Sequence, residues 1–171
     1  MRKVAQFFKV SEKQFLQDFC AVHQEIGQEE AKRIYEIIKL PKRATKGSAG
    51  YDIYTPITYT LKPGESAKIP TGIRVKIEDG WFLSVFPRSG LGFKFRLQMD
   101  NTVGVIDSDY YFAENEGHIF VKVTNDSKEG KTVILEEGKA FCQGIFLEYG
   151  ITVDDETEGI RVGGLGSTSE N

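Results

Sequence analysis

The sequence predicts a mainly β fold built from short strands, with a helical hairpin ahead of it and a polar arm behind it. Three observations carry that reading. Of the 171 residues 18 are Gly, and only Gly27 precedes position 47, so the first quarter is built differently from the rest. From Gly47 onward, short runs rich in aromatic and β-branched residues alternate with Gly-marked turns, the pattern of an all-β sandwich or barrel. No such run is followed by a crossover helix, which argues against a doubly wound parallel sheet.

In order along the chain, residues 4–10 predict a short strand. Ser11-Glu12-Lys13-Gln14 reads as a capping box with Ser11 as N-cap. Phe15, Leu16, Phe19, Val22 and Ile26 follow at helical spacing, and Gly27 breaks this first helix. Ala31, Ile34, Tyr35, Ile37 and Ile38 form a second helical stripe that ends before Pro41. Apolar stripes of this kind are core faces, so the hairpin is expected to cover part of the core, with a partner-binding surface as the alternative. Cys20 and His23, in or beside the stripe, read as packed side chains. The run from Tyr51 to Leu61, then Ser66–Pro70, Ile73–Ile77, Trp81–Pro87, His118–Thr124, Lys131–Leu135 and Ala140–Tyr149 predict strands. Lys62-Pro63-Gly64-Glu65 is a turn signal. Thr152 to Asn171 is polar and aperiodic, a frayed tail by composition alone. The expected organisation is a single domain over 1–171, with a hairpin at 11–39, a β core at 41–150 and a mobile arm at 152–171.

Hydrophobic residues make up 40% and charged residues 27%, an ordinary globular composition that excludes disorder. With 22 basic and 25 acidic residues the net charge is -3, and no Lys/Arg run suggests a duplex-binding footprint, so nucleic acid is not an expected partner. A small polyanion needs only a local basic site. Two cysteines make no disulfide framework. The first residues lack the apolar stretch of a signal peptide, and no stretch approaches a membrane span, so a reducing cytoplasm is the expected setting.

Four Gly-marked segments concentrate groups suited to phosphate chemistry. Arg88-Ser89-Gly90-Leu91-Gly92 offers a guanidinium, a hydroxyl and backbone N–H groups, as an oxyanion cluster requires. Asn101 to Tyr110 places a carboxamide, the carboxylates of Asp107 and Asp109 and an aromatic around one β segment. Gly138 to Gln143 puts an amide among apolar neighbours. Arg161 and the stretch 163–168 repeat the cationic and hydroxyl theme. Taken singly, each is equally a surface turn.

Together with Ala49-Gly50-Tyr51-Asp52, these segments stand in an order that resembles the trimeric dUTP pyrophosphatase (dUTPase) family over residues 41–168. The resemblance implies a dUTPase-like β-barrel or jelly-roll, and cleavage of dUTP by water to dUMP and pyrophosphate with Mg²⁺. That reaction limits uracil in DNA and supplies dUMP for dTMP synthesis. The resemblance makes Asp107 the carboxylate that activates water at the α-phosphorus. It makes Arg88, Ser89, Gly90 and Gln143 phosphate contacts, joined by Arg161, Ser167 and Thr168 from an arm that closes over the nucleotide. Main-chain groups of Asn101, Gly104, Val105 and Ile106 would read the uracil edge, where unpaired polar groups penalise cytosine. Tyr110 would pack on deoxyribose and Leu165 cover the base. Asp52 would reach Mg²⁺ through water, the ion being held chiefly by phosphates. The family implies a homotrimer with sites shared between chains.

The sequence departs from that pattern in five places. Gly90 stands where many members carry a second Ser. Leu165 replaces a Phe that stacks on uracil, and Ser169 replaces a Gly. About five extra residues separate Tyr110 from Gly117, a length suited to a rim or an extended hairpin loop. The hairpin over 11–39 is absent from the shortest members. Two rival readings follow. A dCTP deaminase of the same fold needs a Glu in the strand read here as Gly117-His118-Ile119-Phe120-Val121-Lys122-Val123, and has none. A non-catalytic nucleotide-binding module would have no need of Arg88, Ser89, Asp107 and Tyr110 together.

Overall fold

Ser11 begins the first helix by a route the local sequence does not contain. In the computed structural model, which describes residues 1–159, 161 and 163, Ser11 has extended backbone and its Oγ accepts from the Gln14 N–H at 3.1 Å. The other half of the expected capping box is missing. Gln14 donates to Asp18 at 2.9 Å, and the Ser11 N–H instead donates to Glu116, 105 residues away, at 2.7 Å. Helix α1 (Glu12–Val22) then ends at His23, short of Ile26, and Gly27 is the N-cap of α2 (Gln28–Ile37) rather than the breaker of α1. Phe15, Phe19, Ala31 and Ile34 are buried between the two helices with Val10, and Ile38 and Ile57 connect this small core to the main one.

The first strand, β1 (Ala5–Lys9), and β6 (Ile73–Ile77) pair antiparallel, Ala5 opposite Ile77. The aromatic run after Tyr51 does not stay one strand. It divides into β3 (Tyr51–Tyr54) and β4 (Tyr59–Leu61). The division falls at Thr55, whose N–H and hydroxyl bond Lys139 and Glu136 carbonyls, and at Pro56, which has no N–H to give a ladder. The five-stranded sheet has the order β2 (Lys42–Arg43), β3, β12 (Ala140–Glu148), β7 (Trp81–Pro87), β9 (Gly104–Ile106). A three-stranded sheet joins β5 (Ser66–Pro70), β10 (Phe120–Asn125) and β8 (Leu97–Met99), and β4 pairs with β11 (Val133–Leu135). Every ladder is antiparallel. The sheets pack as a jelly-roll around Ile53, Ile69, Leu83, Leu97, Ile119, Val123, Val133 and Phe141, all at most 2% exposed, and among the described residues none of the sheets closes into a barrel. Ser89–Phe95, a Gly-rich turn by sequence, is a short helix, α3, and the strands β2 and β8 were not legible as such either.

The expectations at Leu165, Ser167 and Thr168 lie outside the described residues. Among the described residues no helix is long and apolar enough to cross a membrane.

Cys142 is fully buried, and that burial, with Asp52 nearby, pushes its thiol well above the usual value. Cys20 is only partly buried. A thiol reagent is therefore expected to modify Cys20 in the native protein and Cys142 only after denaturation. Two fast thiols in a native titration would contradict this packing.

Candidate active site

Arg88 leaves the end of β7, where its N–H bonds the Phe141 carbonyl of β12 at 3.2 Å. Its Nε lies 3.4 Å from Asp52 Oδ1. Asp52 on β3 stands directly opposite Gln143 on β12, so the two side chains share a face. Gly50 makes room for them: a Cβ there would sit 2.4 Å from Gln143 Oε1. Arg88, Ser89, Asp52 and Gln143 thus come together at one end of the five-stranded sheet. Gly90 needs no such freedom, since a Cβ there meets nothing within 4 Å, so a Ser would fit.

A second group gathers around β8 and β9. A tight turn joins them, with Thr102 in left-handed backbone (φ 68) and the Val103 N–H bonded to the Asn101 carbonyl at 2.7 Å. Such a conformation in a β-branched residue is strained and marks a backbone held for a purpose. The turn borders a cavity of about 440 Å³ lined by Asn101, Gly104, Val105 and Ile106, with Met99 and Phe120 as apolar walls. Gly104 is closely packed: a Cβ there would lie 3.1 Å from Val85 and 3.2 Å from Met99, so these side chains would have to shift to admit one. Lys68 caps the Phe120 ring at 4.9 Å. Sequence reasoning missed Phe120 and Lys68. Their strands were legible, but which face of β5 and β10 borders this cavity was not.

Asp107 follows β9 directly and caps a 3-10 segment, Ser108–Phe112. Its carboxylate is half exposed and accepts from Arg161 Nη2 at 2.6 Å, while Asp109 accepts from Arg161 Nε at 2.8 Å. Arg161, expected on phosphate, here rests on two carboxylates of its own chain, with its guanidinium carbon 5.7 Å from the Tyr110 ring centre. Tyr110 is 5% exposed. Its hydroxyl donates to the His118 carbonyl at 2.8 Å and accepts from Asn115 Nδ2 at 3.0 Å. Burial first, with Asp18 adding to it, pushes the phenol above its usual value.

The register separates the two groups within one chain. Ile106 pairs with Leu83 and Gly104 with Val85, so Asp107 lies toward Phe82 while Arg88 extends past the opposite end of β7. Six residues of strand span about 20 Å. One chain therefore does not bring its own Arg88 to its own Asp107.

The residues from Tyr111 to Gly117 do not line the cavity. They turn back to α1, where Glu116 accepts from Ser11 N and from Ser11 Oγ at 2.6 Å. His118 is fully buried, takes the Gly72 N–H on Nε2 at 2.8 Å and meets Asp18 from Nδ1 at 2.6 Å. Both ring nitrogens are occupied away from the cavity, a poor arrangement for a deaminase base. Gly117 has φ 69, and a Cβ would lie 2.5 Å from the Tyr110 carbonyl oxygen. Gly117→Ala is accordingly expected to cost about 1–3 kcal/mol in denaturant unfolding; an unchanged midpoint would refute the close approach.

The dUTPase family model matches residues 36–169. A deoxyuridine 5'-triphosphate nucleotidohydrolase of Lactococcus lactis is 41% identical over 134 residues, covering 77% of this chain and 88% of the relative. The crystal structure of a dUTPase from Streptococcus mutans aligns with TM-score 0.59 and 38% identity, over 66% of this chain and 88% of that one. A point variant of the dUTPase from phage phi11 of S. aureus, described with a structural Mg(II) ion, aligns with TM-score 0.62 over 92% of this chain and 98% of its own, at 21% identity.

Proposed function

The chain belongs to the dUTPase family, and from that membership we propose that it hydrolyses dUTP to dUMP and pyrophosphate. The observation that carries the reading is the position of Asp107. A half-exposed carboxylate emerges directly from β9, the strand that follows the strained turn and borders the 440 Å³ cavity. Uracil seated against Gly104, Val105 and Ile106 would bring its attached sugar toward Tyr110 and its phosphates toward Asp107.

Asp107 holds water and accepts its proton as oxygen bonds to the α-phosphorus; the bond to the bridging oxygen breaks and pyrophosphate leaves. Arg88 grips non-bridging oxygens through its fork of donors, helped by Ser89 and by Gln143. The register of β7 and β9 supports a site in which these groups come from a different chain than Asp107, as in a homotrimer. Arg161 neutralises Asp107 and Asp109 until phosphate competes for the same guanidinium.

Among the described residues no three His, Cys, Asp or Glu side chains form a metal cluster. Mg²⁺ needs none when phosphates supply its ligands, and one carboxylate of Asp52's kind suffices on the protein side. Asp52 fits that role, its charge being shared with Arg88. The ion, when bound, offsets the charge that builds on the phosphate oxygens.

Pyrophosphate release should be assayed with dUTP, dTTP, dCTP and UTP in Mg²⁺. Rapid release from dUTP alone is expected. No release from dUTP would overturn the reading, and ammonia from dCTP would replace it with the deaminase.

A further inference from the structure

The residues between Tyr110 and Gly117 and the helical hairpin meet at one place, and that place holds Tyr110. Asn115 donates to the Tyr110 hydroxyl through Nδ2 and uses Oδ1 to accept the Gly117 N–H at 3.1 Å. The same hydroxyl donates to the carbonyl of His118. Glu116, between them, is bonded twice to Ser11 and lies 3.7 Å from Arg74. Arg74 in turn donates to the Tyr111 carbonyl at 2.6 Å and stacks on the Tyr111 ring at 3.7 Å. The His118 ring is clamped between Asp18 of α1 and the Gly72 N–H. The segment Asn115–His118 therefore bonds the tyrosine through Asn115 and His118, and the first helix and its cap through Glu116 and His118.

We propose that Asn115 and His118 are positioning residues for Tyr110, and that the helical hairpin, acting through Asp18 and Ser11, fixes the wall that rejects a ribose 2'-hydroxyl. The inference rests on the proposed function, in which Tyr110 faces the sugar. Its physical basis is simple. A ring excludes one oxygen atom only if it cannot retreat, and a buried phenol with both hydrogen-bonding positions engaged on a clamped segment has little freedom to do so. A Tyr held by packing alone would yield more easily.

The test uses the full-length protein and the ratio of kcat/KM for dUTP to that for UTP. Asn115→Asp keeps the acceptor for Gly117 and loses the donor to Tyr110. It should lower the ratio about fivefold, the worth of one ordinary hydrogen bond, chiefly by raising turnover of UTP. Asp18→Ala should move the ratio the same way, and Asp18→Asn, which keeps an acceptor for His118, should restore it. In a Tyr110→Phe background Asn115→Asp should have no further effect. An unchanged ratio in folded Asn115→Asp protein would overturn the proposal. So would an undiminished effect in the Tyr110→Phe background, because that would mean the loop acts elsewhere. If the unaltered protein releases no pyrophosphate from dUTP, the proposed function has failed and the positioning role falls with it. If it is active and selective and the variants leave the ratio alone, only the positioning role has failed.

Discussion

Asp107→Asn is expected to lower dUTP turnover by about 10³-fold, the usual contribution of a positioned general base, while nucleotide still binds. Asn has the same shape as Asp and can still accept from Arg161, so the local arrangement survives. What it loses is the capacity to take a proton from water. Removing a negative charge beside a triphosphate also favours binding, so calorimetric affinity for dUTP should hold or rise as kcat collapses. A variant with kcat near the unaltered value would remove Asp107 from the reaction. A variant that neither turns over nor binds would show that Asp107 organises the site rather than acting in it. Asp109→Asn is the control, since it bears on Arg161 but does not follow the hairpin directly; only a modest effect is expected there.

Ending the chain after Ile160 is expected to reduce turnover at least about a hundredfold, the scale on which lost positioning and water exclusion act, with almost no change in melting temperature. The stability side follows from the described contacts. The truncation removes the Arg161 pairs with Asp107 and Asp109, whose side chains are 50% and 53% exposed. Ion pairs to such half-exposed carboxylates are worth about 0–1 kcal/mol. The turnover side rests on the arm segment, in which the family resemblance makes Arg161, Ser167 and Thr168 phosphate contacts. Equal activity of the shortened chain would make the segment inert. A large fall in melting temperature would mean that it is part of the fold. Arg161→Ala separates the two contributions, because it removes the guanidinium and leaves the rest of the segment.

Much of the fold was legible because period-2 patterning and Gly turns are local signals. Ser66–Pro70, Ile73–Ile77 and Trp81–Pro87 form strands at the expected bounds. The errors came where a distant partner decided. Gly27 looked like the end of one helix and is the start of the next, since α1 is closed earlier by the His23 N–H bonding back to Phe19. Gln14 looked like half of a capping box, but Glu116 takes that role from the far side of the fold. The residue types of the candidate site were legible; that Arg88 lies beside Asp52 and that Asn101, Gly104, Val105 and Ile106 border a cavity came only from the structure. Phe120, Lys68 and Asn115 were not legible, because nothing in a strand or loop sequence states which face meets a cavity or which side chain meets a tyrosine.

The sequence by itself determined the family and most of the local structure: the β run after Gly47, the two apolar helical stripes, and the motifs that carry the family resemblance. These depend on neighbours a few residues apart, where spacing alone sets which side chains share a face. Only the tertiary structure decided where the helical hairpin and the loop after Tyr110 meet. Ser11 and Glu116 are 105 residues apart, and Asp18 and His118 are 100. Contacts at such separations are set by how the sheets and the hairpin pack, and no periodicity records them. Folding joins the helical hairpin and the loop after Tyr110 around that tyrosine, and places Arg88 and Asp107 toward opposite ends of a strand that a single chain cannot fold upon itself.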